Sequence, residues 1–279
     1  MQKYKKLYGK IKFLWYNQIN NVFSDKGQML DNKLTMQKLN NFGLSGNVLK
    51  ILGAIFMVID HVGLMFFPYV KVLRIIGRLA YPIFAFMIAE GCYYTKNKVW
   101  YFLNIFILGA GCQLVYYLYD RQLYMSILII FSLSILVIYA LQFMKNTLFS
   151  NKGLLIKSLS VVIFALSIIA LYFLNEVLEI DYGFWGSLAP AFAIILRKPQ
   201  NCNSKLWNVI DNHIARVLVF GVGLLLLALN NNSIQIYSLL CLPILLLYSG
   251  KRGKLKMKYF FYFFYPIHLL LLQGIIYVL

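Results

Sequence analysis

From residue 48 onward the chain is an almost unbroken succession of long apolar runs, a pattern that leaves few folds open. Continuous runs are not the alternating strands of a membrane barrel. They read as helices, and about 20 apolar residues carry a helix across a ~30 Å hydrocarbon core. Nine runs are candidates: 48–67, 73–94, 99–118, 123–144, 155–174, 182–196, 214–229, 233–249 and 259–279. The sixth to eighth are short, which suits tilted or partly re-entrant segments. Composition agrees, with 61% apolar and 13% charged residues, where a soluble domain is nearer half and a quarter. The expected fold is all-α, a polytopic helical integral membrane protein with about nine transmembrane helices.

Residues 1–47 form a separate region. Five lysines between Lys3 and Lys12 alternate with Tyr4, Leu7, Tyr8, Ile11 and Phe13, a basic amphipathic stretch suited to an anionic leaflet. Residues 17–47 are polar and read as a tether to the transmembrane domain, 48–279. No apolar stretch followed by a small-residue cleavage site marks a signal peptide. The net charge of +18 would suggest nucleic acid in a soluble protein. Here the basic residues gather in the tail and in alternate loops, so the expected partners are membrane lipids and not nucleic acid. Lys96 and Lys98, then Lys145 to Lys157, then Arg197 to Lys205, then Lys251 to Lys258 mark one side. Asp120 with Arg121, then Glu176, Glu179 and Asp181, then Asn230–Asn232 mark the other, with Lys71 and Arg74 as exceptions. The positive-inside rule then predicts a plasma-membrane protein with a cytoplasmic N-terminus and an external C-terminus. Cys92, Cys112, Cys202 and Cys241 form no metal or disulfide spacing, and no metal site is expected.

Ionisable residues inside the apolar runs point to a site. Each costs roughly 2.5–3.5 kcal/mol on insertion scales and is seldom accidental. Asp60 and His61 lie ~20 Å into the first run, toward its outer end. Arg74 and Arg78, four apart on one helical face, open the second run after a short connection. These four are expected to converge around one cavity in the outer half of the membrane. Adjacent residues point ~100° apart, so Asp60 and His61 cannot serve one spot equally. Asp60 is suited to pair with an arginine and His61 to titrate near neutral pH. A buried Asp–Arg bridge that merely pins two helices is the alternative. Glu90 is either an inner-leaflet site for a substrate entering from the cytoplasm or the partner of a lysine such as Lys96. It shares no face with Arg78 unless Pro82 bends the helix. His268 falls near the midplane of the last run, as a polar contact or as a packing residue. His213 reads as interfacial. A histidine with a carboxylate and arginines suits activation of a hydroxyl or amine and neutralisation of an anion, hence acyl transfer or proton-coupled transport.

The motifs carry a resemblance. Met57-Val58-Ile59-Asp60-His61, then Arg74-Ile75-Ile76-Gly77-Arg78-Leu79-Ala80-Tyr81-Pro82, then Glu90-Gly91, and finally Tyr265-Pro266-Ile267-His268 occur in order. In these segments the chain resembles the TraX family of integral membrane proteins, named for a conjugation protein that acetylates pilin. More distantly it is similar to membrane acyltransferases. The resemblance implies acetyl transfer from acyl-CoA to a peptide, protein or envelope acceptor. It implies His61 as base or acyl carrier tuned by Asp60, and Arg74 and Arg78 steadying an oxyanion or an anionic acceptor. His268 would be a second polar contact. A membrane transporter or exporter and a non-catalytic membrane partner are the competing readings.

Overall fold

A computed structural model describes residues 43–121, 126–178, 180–200, 202, 204–231, 233–254 and 257–278. The amphipathic stretch and most of the tether lie outside the described residues. The described residues are helical, with an isolated bridge between Leu44 and Tyr248 and no strand among them. Its helices are α1 (Gly46–Met65), α2 (Lys71–Gly77), α3 (Ala80–Tyr94), α4 (Lys98–Asp120), α5 (Ile127–Leu148) and α6 (Leu154–Val177). After these come α7 (Gly183–Ile195), the short α8 (Lys205–Ile210), α9 (His213–Asn230), a 3-10 helix (Ser233–Cys241) running into α10 (Leu242–Leu246), and α11 (Lys258–Val278). Six helical stretches among the described residues are long and apolar enough to cross a membrane: α1, α2 with α3, α4, α5, α6 and α9. Three further apolar helices are shorter.

The second run is two helices, not one. Pro82 lacks an N–H, and its ring excludes the carbonyl four residues back, that of Arg78. The break falls there: α2 ends at Gly77, and Arg78 and Leu79 form a turn before α3. Pro190 breaks no helix, although it lies inside α7. The carbonyl it leaves without an intrahelical donor belongs to Gly186, and the buried Tyr81 hydroxyl donates to it.

The core lies where α3, α5, α7 and α9 meet, around Tyr81, Phe86, Ile135, Ile138, Ile194, Phe220 and Leu224, all at most 1% exposed. His213 was expected at the interface. It opens α9, where its Nε2 meets the Leu245 carbonyl at 2.9 Å and its ring packs against Phe86 and Tyr248. α1 packs on α3, and α11 packs on α1 and α4. α4 and α6 are peripheral; α6 buries only Ser160 and Leu171 and presents Leu155, Val162, Leu166 and Phe173 outward. Apolar faces of that extent are covered by lipid rather than water.

The basic loops meet at one end of the bundle. Lys145 reaches from α5 to the carbonyls of Ile194, Ile195 and Arg197, satisfying acceptors that the end of α7 leaves open. At the same end the start of α1 is tied to the chain after α10. Gly46 N donates to Lys251 O at 2.8 Å and Asn47 N to Arg252 O at 3.0 Å, while Ser45 Oγ accepts from Val48 N. The first N–H groups of α1, which no helix can satisfy internally, are thus all paired.

Candidate functional site

Three polar groupings lie within this bundle. The first is built from α1 and α2. Asp60 Oδ2 binds Arg74 Nη1 at 2.8 Å and Arg78 Nη2 at 2.6 Å. Arg74 also donates to the Asp60 carbonyl at 3.2 Å, and Arg78 donates to Gln235 Oε1 on the 3-10 helix at 3.3 Å. The Arg78 guanidinium lies 5.9 Å from the Tyr182 ring centroid. Charge-assisted bonds to one buried carboxylate fix all three side chains. Gly77 permits the approach: a Cβ there would come within 2.2 Å of Asp60 Oδ1. Gly77→Ala should therefore force α2 from α1 at a cost of about 1–3 kcal/mol. An unchanged melting temperature for that variant would contradict this packing.

The second grouping is a pair of histidines. His61 leaves the Asp60 cluster, as the ~100° step requires, and faces α11. Its ring meets that of His268 edge-on, with centroids 5.0 Å apart. His61 Nδ1 lies 2.8 Å from the Met57 carbonyl and His268 Nδ1 lies 2.9 Å from the Phe264 carbonyl. A carbonyl oxygen can only accept, so each Nδ1 carries a proton, and in the neutral ring the lone pair is on Nε2. The His61 ring is thus oriented by backbone, not by the Asp60 carboxylate. His268 is 6% exposed, stacks on Phe264, and its Nε2 has no partner among the described residues.

The third grouping surrounds Glu90, near the end of α3. Its Oε1 accepts from Arg197, after α7, and from Arg216 of α9, the latter at 2.9 Å. Arg216 also meets Asp211 at 3.3 Å. Burial opposes the Arg197 charge, but Glu90 outweighs it and holds the guanidinium above its ordinary range. The partners of Glu90 are arginines, not a lysine such as Lys96, which was one of its two expected roles. Neither was marked by a motif. Arg216 nonetheless carried a signal, a cation three residues into an apolar run and five after Asp211.

A cavity of about 630 Å³ connects these observations. Lys50, Glu90, Tyr94, Tyr248 and Arg252 line it at the basic end, and Met57, Phe84, Phe264 and Tyr265 line it deeper. Ligand pockets are commonly of roughly 300–1,000 Å³. Asp60, His61, Arg74 and Arg78, expected around one cavity, do not line this one. Of the six candidate residues only Glu90 lines this one. The cluster of Asp60 with its arginines stands apart, spent on mutual ion pairs. His61 and His268 sit one helical turn past Met57 and Phe264, whose carbonyls orient them.

Six membrane-length helices around buried ion pairs and a histidine pair define a polytopic helical membrane protein. The chain belongs to the TraX family: residues 45–276 match the family described as TraX protein. It is similar to the probable fimbrial assembly protein FimC, serogroup H1, of Dichelobacter nodosus, with 29% identity over 83% of this chain and 96% of that protein. It is also similar to an uncharacterized protein of Rickettsia prowazekii (strain Madrid E), at 40% identity over 24% of this chain and 25% of that one. No solved structure matches it.

Proposed function

We propose that this protein is a membrane acyltransferase that takes acyl-CoA, acetyl-CoA by family resemblance, from the cytoplasm and acylates a peptide, protein or envelope acceptor. One arrangement supports the reading above the others: the cavity runs from the basic end to Met57 and Phe264, whose carbonyls orient the two histidines one helical turn further on. The basic end would face the cytoplasm, where acyl-CoA is found and where positive loops are retained. His61 Nε2 would take the proton of an acceptor hydroxyl or amine as that atom attacks the thioester carbonyl. The C–S bond then breaks and the thiolate leaves, to be protonated in its turn. His268 would share this proton traffic across 5.0 Å. Asp60, Arg74 and Arg78 would act by fixing α1 against α2, and hence the position of His61. A fimbrial or pilin-like acceptor is a natural candidate in view of the name of the Dichelobacter relative.

The test uses sealed vesicles of both orientations from cells making the protein. Inside-out vesicles should consume added acetyl-CoA and release free CoA, while right-side-out vesicles should do so only after permeabilisation. Consumption by intact right-side-out vesicles would reverse the orientation. No consumption in either preparation, with envelope material supplied as acceptor, would remove the acyltransferase reading. Solute flux without covalent change would put transport in its place.

A further inference from the structure

We infer that Lys50 and Arg252 form a phosphate clamp at the basic end of the cavity, so that the site reads the phosphopantetheine arm of the donor and leaves its nucleotide outside. The inference rests on acyl-CoA as donor. Both residues line the cavity, Lys50 partly buried and Arg252 exposed. The backbone builds their convergence. Asn47 N donates to the Arg252 carbonyl at 3.0 Å, which holds Arg252 over the first turn of α1. Lys50 follows Asn47 by three residues and so stands one turn deeper on the same face. The two cations are near enough to repel each other, and neither forms an ion pair with a described residue. Charges drawn out of bulk water need a partner. The phosphate of the donor supplies the matching negative charge and several acceptor oxygens.

Length decides which half of the donor the cavity holds. On α3 its lining runs from Phe84 to the C-cap Thr95, roughly 16 Å of helical rise. On α1 it runs from Lys50 to Met57, roughly 10 Å. The arm has roughly thirteen bonds between phosphorus and sulfur, which extend to roughly 16 Å for bonds of about 1.5 Å. A phosphate held by Lys50 and Arg252 thus brings the thioester to the deep end, beside Met57, Phe84 and Phe264. None of that length is left for a nucleotide, which then lies among the basic loops.

The walls suit the arm as well. Tyr94, Thr95 and Tyr265 bring hydroxyl-bearing side chains to the cavity, and Ile88, Leu108 and Leu128 bring apolar ones. An arm that alternates amides with methylenes matches such a lining better than a bare alkyl chain, which would strip water from the hydroxyls and give nothing back.

The experiment compares four ligands on the purified full-length protein: CoA, phosphopantetheine, pantetheine, and the adenosine bisphosphate half of CoA alone. Phosphopantetheine should bind within about threefold of CoA, and pantetheine about tenfold or more weakly, the size of a lost hydrogen bond to a charged group. The adenosine bisphosphate should bind far more weakly than CoA. Lys50→Gln should erase the preference for phosphopantetheine over pantetheine, and Lys50→Arg should keep it, at an unchanged melting temperature. If the glutamine variant does not fold, the ligand series on the wild type decides. Equal binding of pantetheine and phosphopantetheine would overturn the clamp and make Lys50 a snorkelling lysine. Binding of the adenosine bisphosphate as tightly as CoA would put the nucleotide in the cavity and overturn the inference too. In both cases CoA still binds and the donor reading stands. Binding of none of the four would remove both.

Discussion

His61→Ala should lower acyl-CoA turnover about 10²-fold or more while the protein still folds. The expectation comes from one atom. With Nδ1 committed to the Met57 carbonyl, Nε2 is the nitrogen left to accept a proton in the neutral ring, and positioned proton transfer contributes about 10²–10⁴-fold. His268 belongs to a different helix, 207 positions later, and meets the His61 ring edge-on rather than standing in its place. His61 is only half-buried, so removal of its ring leaves a modest packing defect. Melting temperature and turnover are measured on the same detergent-purified sample. Normal turnover would defeat the assignment of His61 as base. Collapse of the melting transition would make it a packing residue.

Asp60→Ala should behave in the opposite way, losing stability first. Its carboxylate is the ion-pair partner of both Arg74 and Arg78, whose side chains are 22% and 11% exposed. Removing it leaves two cations together without their counterion. Breaking a buried pair from one side costs about 3–5 kcal/mol, a large part of the margin of an ordinary domain. Expression and melting temperature should fall together, and any loss of turnover should follow them. Arg78→Lys should be milder, since lysine keeps the charge but cannot hold Asp60 and Gln235 with one fork. A wild-type melting temperature for Asp60→Ala would show that the cluster does not hold α1 to α2.

Much of this was legible in the chain because it depends on local spacing. Arg74 and Arg78 share a face and follow Asp60 after a short turn, so their convergence needs only helical geometry. Pro82 marked the interruption of the second run as a condition, and its ring placed the break at Arg78. The His61–His268 pair is another matter. No periodicity links residues 207 apart, and only the packing of α11 on α1 brings them together. The location of the cavity was unreadable for the same reason, since its walls come from α1, α3, α4, α5 and α11. Lys145 and Arg197 were visible only as members of a loop-charge pattern. The fold uses one to cap α7 and the other to hold Glu90. The same side chains that orient a membrane protein can also be spent inside it.

The tie between the start of α1 and the chain after α10 has a consequence for biosynthesis. Ser249 donates to Leu44 across 205 residues, and His268 lies later still. At roughly 5–20 residues per second, synthesis reaches those partners some 10–40 s after α1 has left the ribosome. Until then the leading N–H groups of α1 face headgroups or water, and His61 has no opposite ring. The first helix described is thus finished by the last, so early spans must wait in the bilayer for closure. Chains cut short before residue 247 would be expected as clients of membrane proteases rather than as partly assembled bundles.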